Sequence, residues 1–401
     1  MKKSNLDNWI IQTESLPELT RKGLENLQLR RLNQTLSRAK RRGGIYAQYP
    51  DHIESLQDLQ ALPFTTAQML SAGAGNFLLC SQSQVSRVIS DSTSGTSGPA
   101  KRVFYTQNDL EHTVGFFAAG IGEMLHPGER CFIAFPFSGP FGLGDLIAQA
   151  VERLKGIPIR AGFGQSWERL CRLVRQSQPQ TYIGFPTALL GLARVYGADF
   201  PIQRALVSAD ACPAGVMLAL EKILESKLYP HYGSRECGLG GAITCPAFQG
   251  MHLRENHIIG EIVDADGIAV PEGGYGELVI TTIGLEAMPL IRYRTGDYTR
   301  FLPPCPCGSV TRRIDTVSRE PGSISMEALD SALFSLPGVI DYRARLDNRL
   351  LLDVRVSESG LEEIIRTKAA ACCPGFSIRV QTTLFSYGDT PLYPGKRRIL
   401  H

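Results

Sequence analysis

Apolar residues in the middle of the chain form short runs typical of strands, each followed by a longer spaced pattern typical of a helix. The strand-like runs are Cys131–Phe135, Ile157–Ile159, Thr181–Phe185 and Arg204–Val207. The helix-like segments that follow them in turn are Leu143–Leu154, Trp167–Gln176, Thr187–Tyr196 and Pro213–Glu225. Strands and helices alternating at this pitch favour a layered α/β domain with a mostly parallel sheet.

The two ends of the chain have different patterns. Residues 14–42 predict one polar amphipathic helix, because leucines recur there at near-helical spacing. The predicted strands after residue 258, separated by Gly- and Pro-containing turns, are Ile259–Val263, Gly276–Thr282 and Tyr298–Phe301. The last 80 or so residues predict helix Met326–Leu333, strands Val339–Leu346 and Leu350–Val356, helix Gly360–Ala371 and strand Ser377–Thr383. We therefore expect a large domain over 1–317, with a β-rich part at 258–317, and a small α+β domain over 318–401.

Composition and charge exclude several classes of protein. The 401 residues are 43% hydrophobic and 20% charged, which is ordinary for a soluble globular protein. A net charge of +3 argues against nucleic acid or a membrane surface as partner. No apolar run is long enough for a transmembrane helix, and Met1-Lys2-Lys3 precedes polar residues instead of a signal-peptide core. We expect a cytoplasmic protein whose ten cysteines are reduced.

The segment from Ser92 to Lys101 alternates hydroxyl side chains with glycines. Glycines let successive N–H groups turn toward one anion, and Ser and Thr hydroxyls add further donors, so the segment suits the phosphates of a nucleotide. It lacks the Gly-Lys-Ser/Thr ending of a Walker loop. Taken alone, the segment is equally consistent with a flexible Ser/Gly linker.

Three further segments follow this loop along the chain. They are Tyr232-Gly233-Ser234-Arg235-Glu236, Arg292-Tyr293-Arg294-Thr295-Gly296-Asp297, and Gly395-Lys396. Together the four resemble the motifs of the adenylate-forming superfamily of acyl and aryl ligases. Residues 27–40, 56–66 and 288–294 are more narrowly similar to phenylacetate–CoA ligases and the related coenzyme F390 synthetases. The resemblance implies the superfamily's fold, a large layered α/β domain followed by a small α+β lid.

The resemblance also implies which residues perform the reaction, the attack of a carboxylate on the α-phosphate of ATP. Lys396 would contact both the carboxylate and the α-phosphate, and Glu236 would help to place Mg²⁺. Asp297 would accept both ribose hydroxyls, since a carboxylate offers two acceptor oxygens. Tyr232 would stack near adenine, and Ser208-Ala209-Asp210 falls where the family places its adenine-contacting loop. The matched nucleotide-binding positions are Thr93, Ser94, Gly95, Thr96, Ser97, Gly98, Lys101, Ser208, Ala209, Asp210, Tyr232, Gly233, Ser234, Arg294 and Asp297.

Three positions depart from the superfamily's pattern. Pro99 stands where the phosphate loop usually has lysine, so pyrophosphate would be held less tightly, or by Lys101 and Arg102 instead. Arg235 replaces the usual Thr or Ser before the glutamate, so either its guanidinium would donate to the α-phosphate in place of the hydroxyl or this phosphate contact is altered. The hinge between the two domains is shortened to Ser318–Gly322. The resemblance therefore supports adenylation more strongly than the second half-reaction, the transfer of the acyl group to a thiol.

Four spaced residues make a separate prediction. Cys245, His252, Cys305 and Cys307 form a Cys₃His set, the donor set of a structural zinc site. Similar segments occur in some proteins that resemble phenylacetate–CoA ligases. The alternative is a group of reduced, partly buried thiols beside a histidine with no metal.

The loop from Phe135 to Gly142 falls where the family lines its acyl pocket. Phe137 and Phe141 would stack on an aromatic acid there, or they belong to the core. The sequence thus predicts an ATP-dependent ligase that adenylates a small carboxylic acid and passes the acyl group to coenzyme A or a carrier-protein phosphopantetheine. Transfer to a non-thiol acceptor, a catalytically silent relative, and assembly as a homodimer are left open.

Overall fold

The computed structural model describes residues 4–91, 101–139, 141–319, 324–393 and 395–400. The predicted phosphate-binding positions Thr93–Gly98 lie outside the described residues, as does most of the expected hinge.

Within the described residues, helices and strands alternate along most of the chain. The α-helices are α1 (Asn5–Thr13), α2 (Arg21–Arg42), α3 (Ala67–Gly73), α4 (Gln107–Ile121), α5 (Leu143–Arg153), α6 (Trp167–Ser177), α7 (Pro186–Tyr196), α8 (Ala214–Leu224), α9 (Met326–Phe334) and α10 (Glu362–Cys372). The strands are β1 (Val85–Asp91), β2 (Lys101–Thr106), β3 (Arg130–Ile133), β4 (Ile157–Arg160), β5 (Thr181–Gly184), β6 (Arg204–Val207), β7 (Tyr229–Tyr232), β8 (Ala242–Thr244), β9 (Met251–Leu253), β10 (Ile258–Val263), β11 (Gly276–Thr282), β12 (Tyr293–Thr299), β13 (Phe301–Leu302), β14 (Arg313–Ile314), β15 (Ser318–Arg319), β16 (Val339–Leu346), β17 (Leu350–Val356) and β18 (Ile378–Leu384). No helix in these ranges combines the length and the apolar character needed to cross a bilayer.

The chain divides into two compact units, and the first combines Met1–Glu123 with His231–Glu320. Its strands pair antiparallel in three groups. Strand β1 pairs with β2, and β10, β11, β12 and β15 form a four-stranded sheet in that order. The third group runs β13, β14, β9, β8 and the end of β7. The buried Asp109 of α4 accepts hydrogen bonds from the N–H groups of Thr106, Glu286 and Ala287. One carboxylate therefore caps α4 and fixes the loop that follows β11.

The second unit combines Met124–Pro230 with Pro321–His401. Strands β7, β6, β5, β3 and β4 form a parallel sheet in that order, joined by α5 to α8, as expected for helical crossovers. A smaller sheet, β16–β17–β18, lies with α9 and α10, and its side chains share one hydrophobic core with those of the parallel sheet. In this structure the C-terminal segment thus packs as part of the second unit, and the expected boundary at residue 317 stays a prediction.

The predicted α/β class is confirmed, and most predicted elements lie within one or two residues of their observed bounds. The helix predicted over 14–42 is observed as α2 and ends at the predicted residue, but its predicted start is wrong. It begins at Arg21, because Pro17 interrupts the pattern and Thr20 caps α2 by accepting a hydrogen bond from the Gly23 N–H. The strand predicted at Tyr298–Phe301 is also wrong in its bounds. The observed strand, β12, already begins at Tyr293. It contains a bulge around Gly296, whose φ is +70°, and this bulge interrupts the apolar pattern from which the strand was predicted.

Candidate active site

The turn after β7 carries the first group of predicted site residues, and its backbone is tightly constrained. A side chain at Gly233 would place its Cβ 2.3 Å from the carbonyl oxygen of Leu239, so only glycine fits. The Ser234 N–H donates to Sγ of Cys237 at 3.0 Å. This packing holds the Glu236 side chain in a buried position.

Glu236 lies in a small hydrogen-bonded group with Lys101 and Tyr293. Its Oε1 is 2.5 Å from Nζ of Lys101 and accepts a hydrogen bond from the Tyr293 hydroxyl at 3.2 Å. Burial opposes ionisation of Glu236, but the charge and hydrogen bond of Lys101 outweigh it and hold the pKa below its usual value. The first unit therefore brings together the residue predicted to place Mg²⁺ and the residue predicted to hold pyrophosphate.

Asp297 lies just after the bulge in β12 and is also buried. Its Oδ2 accepts a hydrogen bond from the Tyr232 hydroxyl at 2.9 Å, and its Oδ1 accepts one from Nε of Arg319 at 3.1 Å. Burial, followed by the charge of Asp297, raises the pKa of Tyr232 well above its usual value, so the hydroxyl stays a donor. The residues predicted to contact adenine and ribose are thus hydrogen-bonded to each other.

The arginines of these motifs have partners of their own. Arg292 forms a bidentate ion pair with Glu261, and Nη2 of Arg294 lies 2.6 Å from Oε2 of Glu277. The carbonyl oxygen of Arg235 accepts a hydrogen bond from the Tyr105 hydroxyl at 2.5 Å. Arg292 holds the fold together, and the predicted nucleotide contacts of Arg235 and Arg294 stay predictions.

The second unit contains the predicted adenine loop and the predicted catalytic lysine. Ser208, Ala209 and Asp210 follow β6, with Ala209 in the left-handed region at φ +68°. Burial raises the pKa of Asp210 to about 6, although a hydrogen bond from the Arg397 N–H and the charge of Lys396 favour its ionised form. Lys396 is exposed and lies close enough to this carboxylate to affect its ionisation.

The predicted acyl-pocket loop also lies in the second unit. The ring of Phe137 is 5.1 Å from the guanidinium carbon of Arg160, which forms an ion pair with Asp145 at 2.8 Å. The N–H of Ser138 donates to the other oxygen of Asp145 at 3.2 Å. Phe137 and Phe141 are both half-buried, so neither belongs to the fully buried core.

The four residues of the Cys₃His set converge in the first unit, and all of them are buried. One ligand atom from each lies within 4.8 Å of the others, with Sγ of Cys245 and Sγ of Cys305 3.7 Å apart. Tetrahedral coordination at a zinc–sulfur distance of ~2.3 Å requires sulfurs about 3.8 Å apart. Nδ1 of His252 is 2.9 Å from the Thr311 hydroxyl, which leaves Nε2 directed at Cys307, 3.5 Å away. The donor set fits a zinc ion.

Sequence reasoning missed three residues of these groups: Tyr293, Arg319 and Arg397. Tyr293 was within a recognised segment but had no assigned role, and its hydroxyl contacts Glu236. Arg319 contacts Asp297 from the expected hinge. Arg397 lies between two exposed basic residues, a pattern typical of a solvated segment, and is nevertheless buried.

Comparisons with known proteins identify the family of the chain. A model of the AMP-binding enzymes matches residues 92–287, which include the segments Ser92–Lys101 and Tyr232–Glu236. The phenylacetate–coenzyme A ligase of Escherichia coli strain K12 is 31% identical over 327 residues, covering 77% of this chain and 72% of the relative. That of Pseudomonas putida is 30% identical and covers 70% and 67%.

A solved structure of 2-hydroxyisobutyryl-CoA ligase, in the postadenylation state with an acyl-AMP, has a TM-score of 0.75 to this chain. The match covers 90% of this chain and 86% of that structure at 20% identity, so this likeness concerns the fold. The sequence relatives, in contrast, share close to a third of their residues with most of this chain. The chain therefore belongs to the AMP-binding enzymes, in the branch of the phenylacetate–coenzyme A ligases.

Proposed function

We propose that the protein uses ATP to activate a small carboxylic acid as its acyl-adenylate, releases pyrophosphate, and then transfers the acyl group to the thiol of coenzyme A. The observation that carries the proposal is the grouping around Tyr293 in the first unit. Burial raises the pKa of Tyr293, and the negative charges of Glu236 and Asp297 raise it further. The carboxylates matched to the Mg²⁺ and ribose positions of the family thus act on one side chain.

Each residue has a definite task in this reaction. Asp297 exchanges its present donors for the two ribose hydroxyls, and the Tyr232 ring contacts adenine. Lys101 binds the β- and γ-phosphates and Lys396 the α-phosphate with the carboxylate. A fixed ammonium about 3–4 Å from two approaching anions lowers their repulsion by several kcal/mol at intermediate dielectric. Once ATP and the acid are bound and these charges are in place, the attack itself requires little further reorganisation.

We assign Mg²⁺ to Glu236, because a buried carboxylate with one oxygen directed at a cationic partner suits a hard cation. Bound there, the ion would neutralise charge on the phosphates. Within this group, Tyr293 orients the carboxylate through its hydroxyl.

We propose that the acid is aromatic, since Phe137 is half-buried and its ring already packs beside a guanidinium. The acceptor is coenzyme A, with a carrier-protein phosphopantetheine as the alternative of the same chemistry. A homodimer is compatible with this function and is not needed for it.

We further propose that Cys245, His252, Cys305 and Cys307 hold a structural zinc ion. All ten cysteines of the chain lie in the described ranges and are free thiols, which suits a reducing cytoplasm and leaves these four available to a metal. The ion would stabilise the segments around β9 and β14, and its role is separate from the phosphate chemistry.

The test is acid-dependent release of pyrophosphate from ATP with a panel of aryl and alkyl acids. Lys396→Ala should lower the rate at least about a hundredfold, as expected for losing a charge contact to the transition state. Lys368→Ala, on α10 of the same C-terminal segment, is the matched control and should keep the wild-type rate. ATP binding without release for any acid would instead support a silent relative. Release without a thioester would redirect the proposal to another acceptor.

A further inference from the structure

Arg397, the residue next to Lys396, is buried although it stands in a run of three basic residues. Its side chain is only 2% exposed, and Nε donates to both carboxylate oxygens of Asp330, at 2.8 and 3.0 Å. Nη1 donates to the Tyr342 carbonyl at 3.2 Å, and the guanidinium carbon lies 4.3 Å from the Tyr342 ring. The charge is therefore both paired and stacked.

The backbone of the same segment is held at two points. The Arg397 N–H donates to Oδ2 of Asp210 at 2.8 Å. Leu400 pairs with β16 through the Leu346 N–H at 2.7 Å and the Ala344 carbonyl at 3.0 Å. Lys396 thus directly precedes a segment that is fixed to α9, to β16 and to the loop after β6.

Burying an ion pair is a costly way to stabilise a fold, because apolar side chains of similar size usually do as well or better. An ion pair does, however, specify one geometry, since a guanidinium and a carboxylate match in only a few orientations. A single peptide bond separates Arg397 from Lys396. A fixed Arg397 therefore restricts the directions in which Lys396 can extend.

We propose that Arg397 is a positioning residue for Lys396. The ion pair of Arg397 with Asp330, together with the hydrogen bond from the Arg397 N–H to Asp210, holds Lys396 beside the loop after β6. The inference rests on the proposed function, because it requires Lys396 to act in adenylation. It assigns Arg397 no contact with substrate. Asp210 and Asp330 support it from two different elements.

The test uses the double variant Arg397→Met with Asp330→Asn, which removes the ion pair without leaving a buried charge unpaired. The amide introduced by Asp330→Asn still offers an acceptor to the Tyr342 hydroxyl, which donates to Asp330 at 2.6 Å in the native protein. We expect kcat for pyrophosphate release to fall at least about fivefold while KM for ATP stays within about twofold, the pattern of a lost transition-state contact. Arg397→Lys, which retains the charge but loses the forked geometry, should show the same split.

Arg204→Met is the control for losing a shielded, ion-paired arginine. Arg204 lies in the same unit, forms an ion pair with Glu129 and donates to the carbonyl oxygen of Met124. Its variant should lower stability and leave kcat per folded enzyme unchanged. A second readout is the rate at which an acylating reagent modifies Lys396, followed by mass spectrometry, which should change in the double variant while that of Lys368 does not.

A folded double variant whose kcat lies within about fivefold of wild type would overturn the inference. The outcome separates from a failure of the proposed function, because Lys396→Ala reports on that alone. If Lys396→Ala is fully active, the role of the lysine is wrong. If Lys396→Ala is inactive and the double variant is not impaired, only the positioning role is wrong.

Discussion

The ammonium nitrogen of Lys101 lies 2.5 Å from Oε1 of Glu236, inside the group that we assign to magnesium. The pair is largely shielded, with side chains 22% and 8% exposed, so solvent screens it less than a surface ion pair. If Glu236 binds Mg²⁺ as we propose, we expect Lys101 to compete with the ion for this carboxylate and to move toward the phosphates when Mg²⁺ and ATP bind.

Lys101→Met should consequently have two opposite effects. The half-saturating Mg²⁺ concentration should fall, because the competing cation is gone, whereas KM for ATP should rise by about tenfold through the lost phosphate contact. Manganese binding measured by electron paramagnetic resonance gives the metal affinity without turnover. Lys227, which forms an ion pair with Glu221 at 2.7 Å and is outside the proposed nucleotide site, is the control, and its replacement by methionine should leave both quantities unchanged. An unchanged metal affinity in Lys101→Met would exclude the competition.

The Tyr232–Asp297 hydrogen bond leads to a second prediction. If Asp297 binds ribose, Asp297→Asn should raise KM for ATP by roughly tenfold to a hundredfold, because charge-assisted bonds to the two hydroxyls are lost. Tyr232→Phe should have a smaller effect, and the two changes should be non-additive, since the hydroxyl acts through the carboxylate. Steady-state kinetics on the two single variants and the double variant measure this coupling. Strictly additive effects would mean that the two residues bind the nucleotide independently.

The sequence predicted those elements best in which local pattern and tertiary packing agree. The bounds of β6, β11, β16 and β17 are those expected from the apolar pattern, since each strand has a consistently buried face. The break between α1 and α2 depends on Pro17 and the Thr20 cap, which a search for leucine spacing overlooks.

The composition of the site was predictable where residues belong to contiguous motifs, as for Tyr232 and Glu236. Their partners were not predictable, because these come from distant parts of the chain. Arg397 and Asp330 are 67 residues apart, and a run of basic residues ordinarily indicates a solvated tail. Only packing reveals that one of the three is buried.

The Cys₃His cluster predicts about one equivalent of zinc in the purified protein. Cys305→Ser with Cys307→Ser should abolish it and lower the melting temperature, because metal binding contributes folding free energy on the order of 10 kcal/mol in structural sites. Metal analysis and thermal unfolding with and without a chelator provide the measurement. Cys131→Ser, at a fully buried cysteine outside the cluster, controls for the loss of a buried thiol and should keep the metal. Metal-free protein of undiminished stability would refute the site.

Asp210 should make stability depend on pH in a defined direction. Burial raises its pKa to about 6 from 3.8, with Asp330 acting in the same sense and Lys396 and Arg397 opposing it. The folded protein therefore holds the proton more tightly than the unfolded chain, so the free energy of unfolding falls as pH rises from about 4 to about 6.

Asp210→Asn removes this titration and still offers an acceptor to the Arg397 N–H. The variant should gain about 2–3 kcal/mol in unfolding free energy over wild type at pH 8, and this gain should shrink as the pH falls and vanish below about pH 3, where the wild-type carboxyl is protonated in both states. Urea unfolding at several pH values measures the difference. Asp341, whose pKa is also raised to about 6 by burial, titrates in both proteins and cancels. A difference between variant and wild type that does not change with pH would show that Asp210 ionises normally in the folded protein.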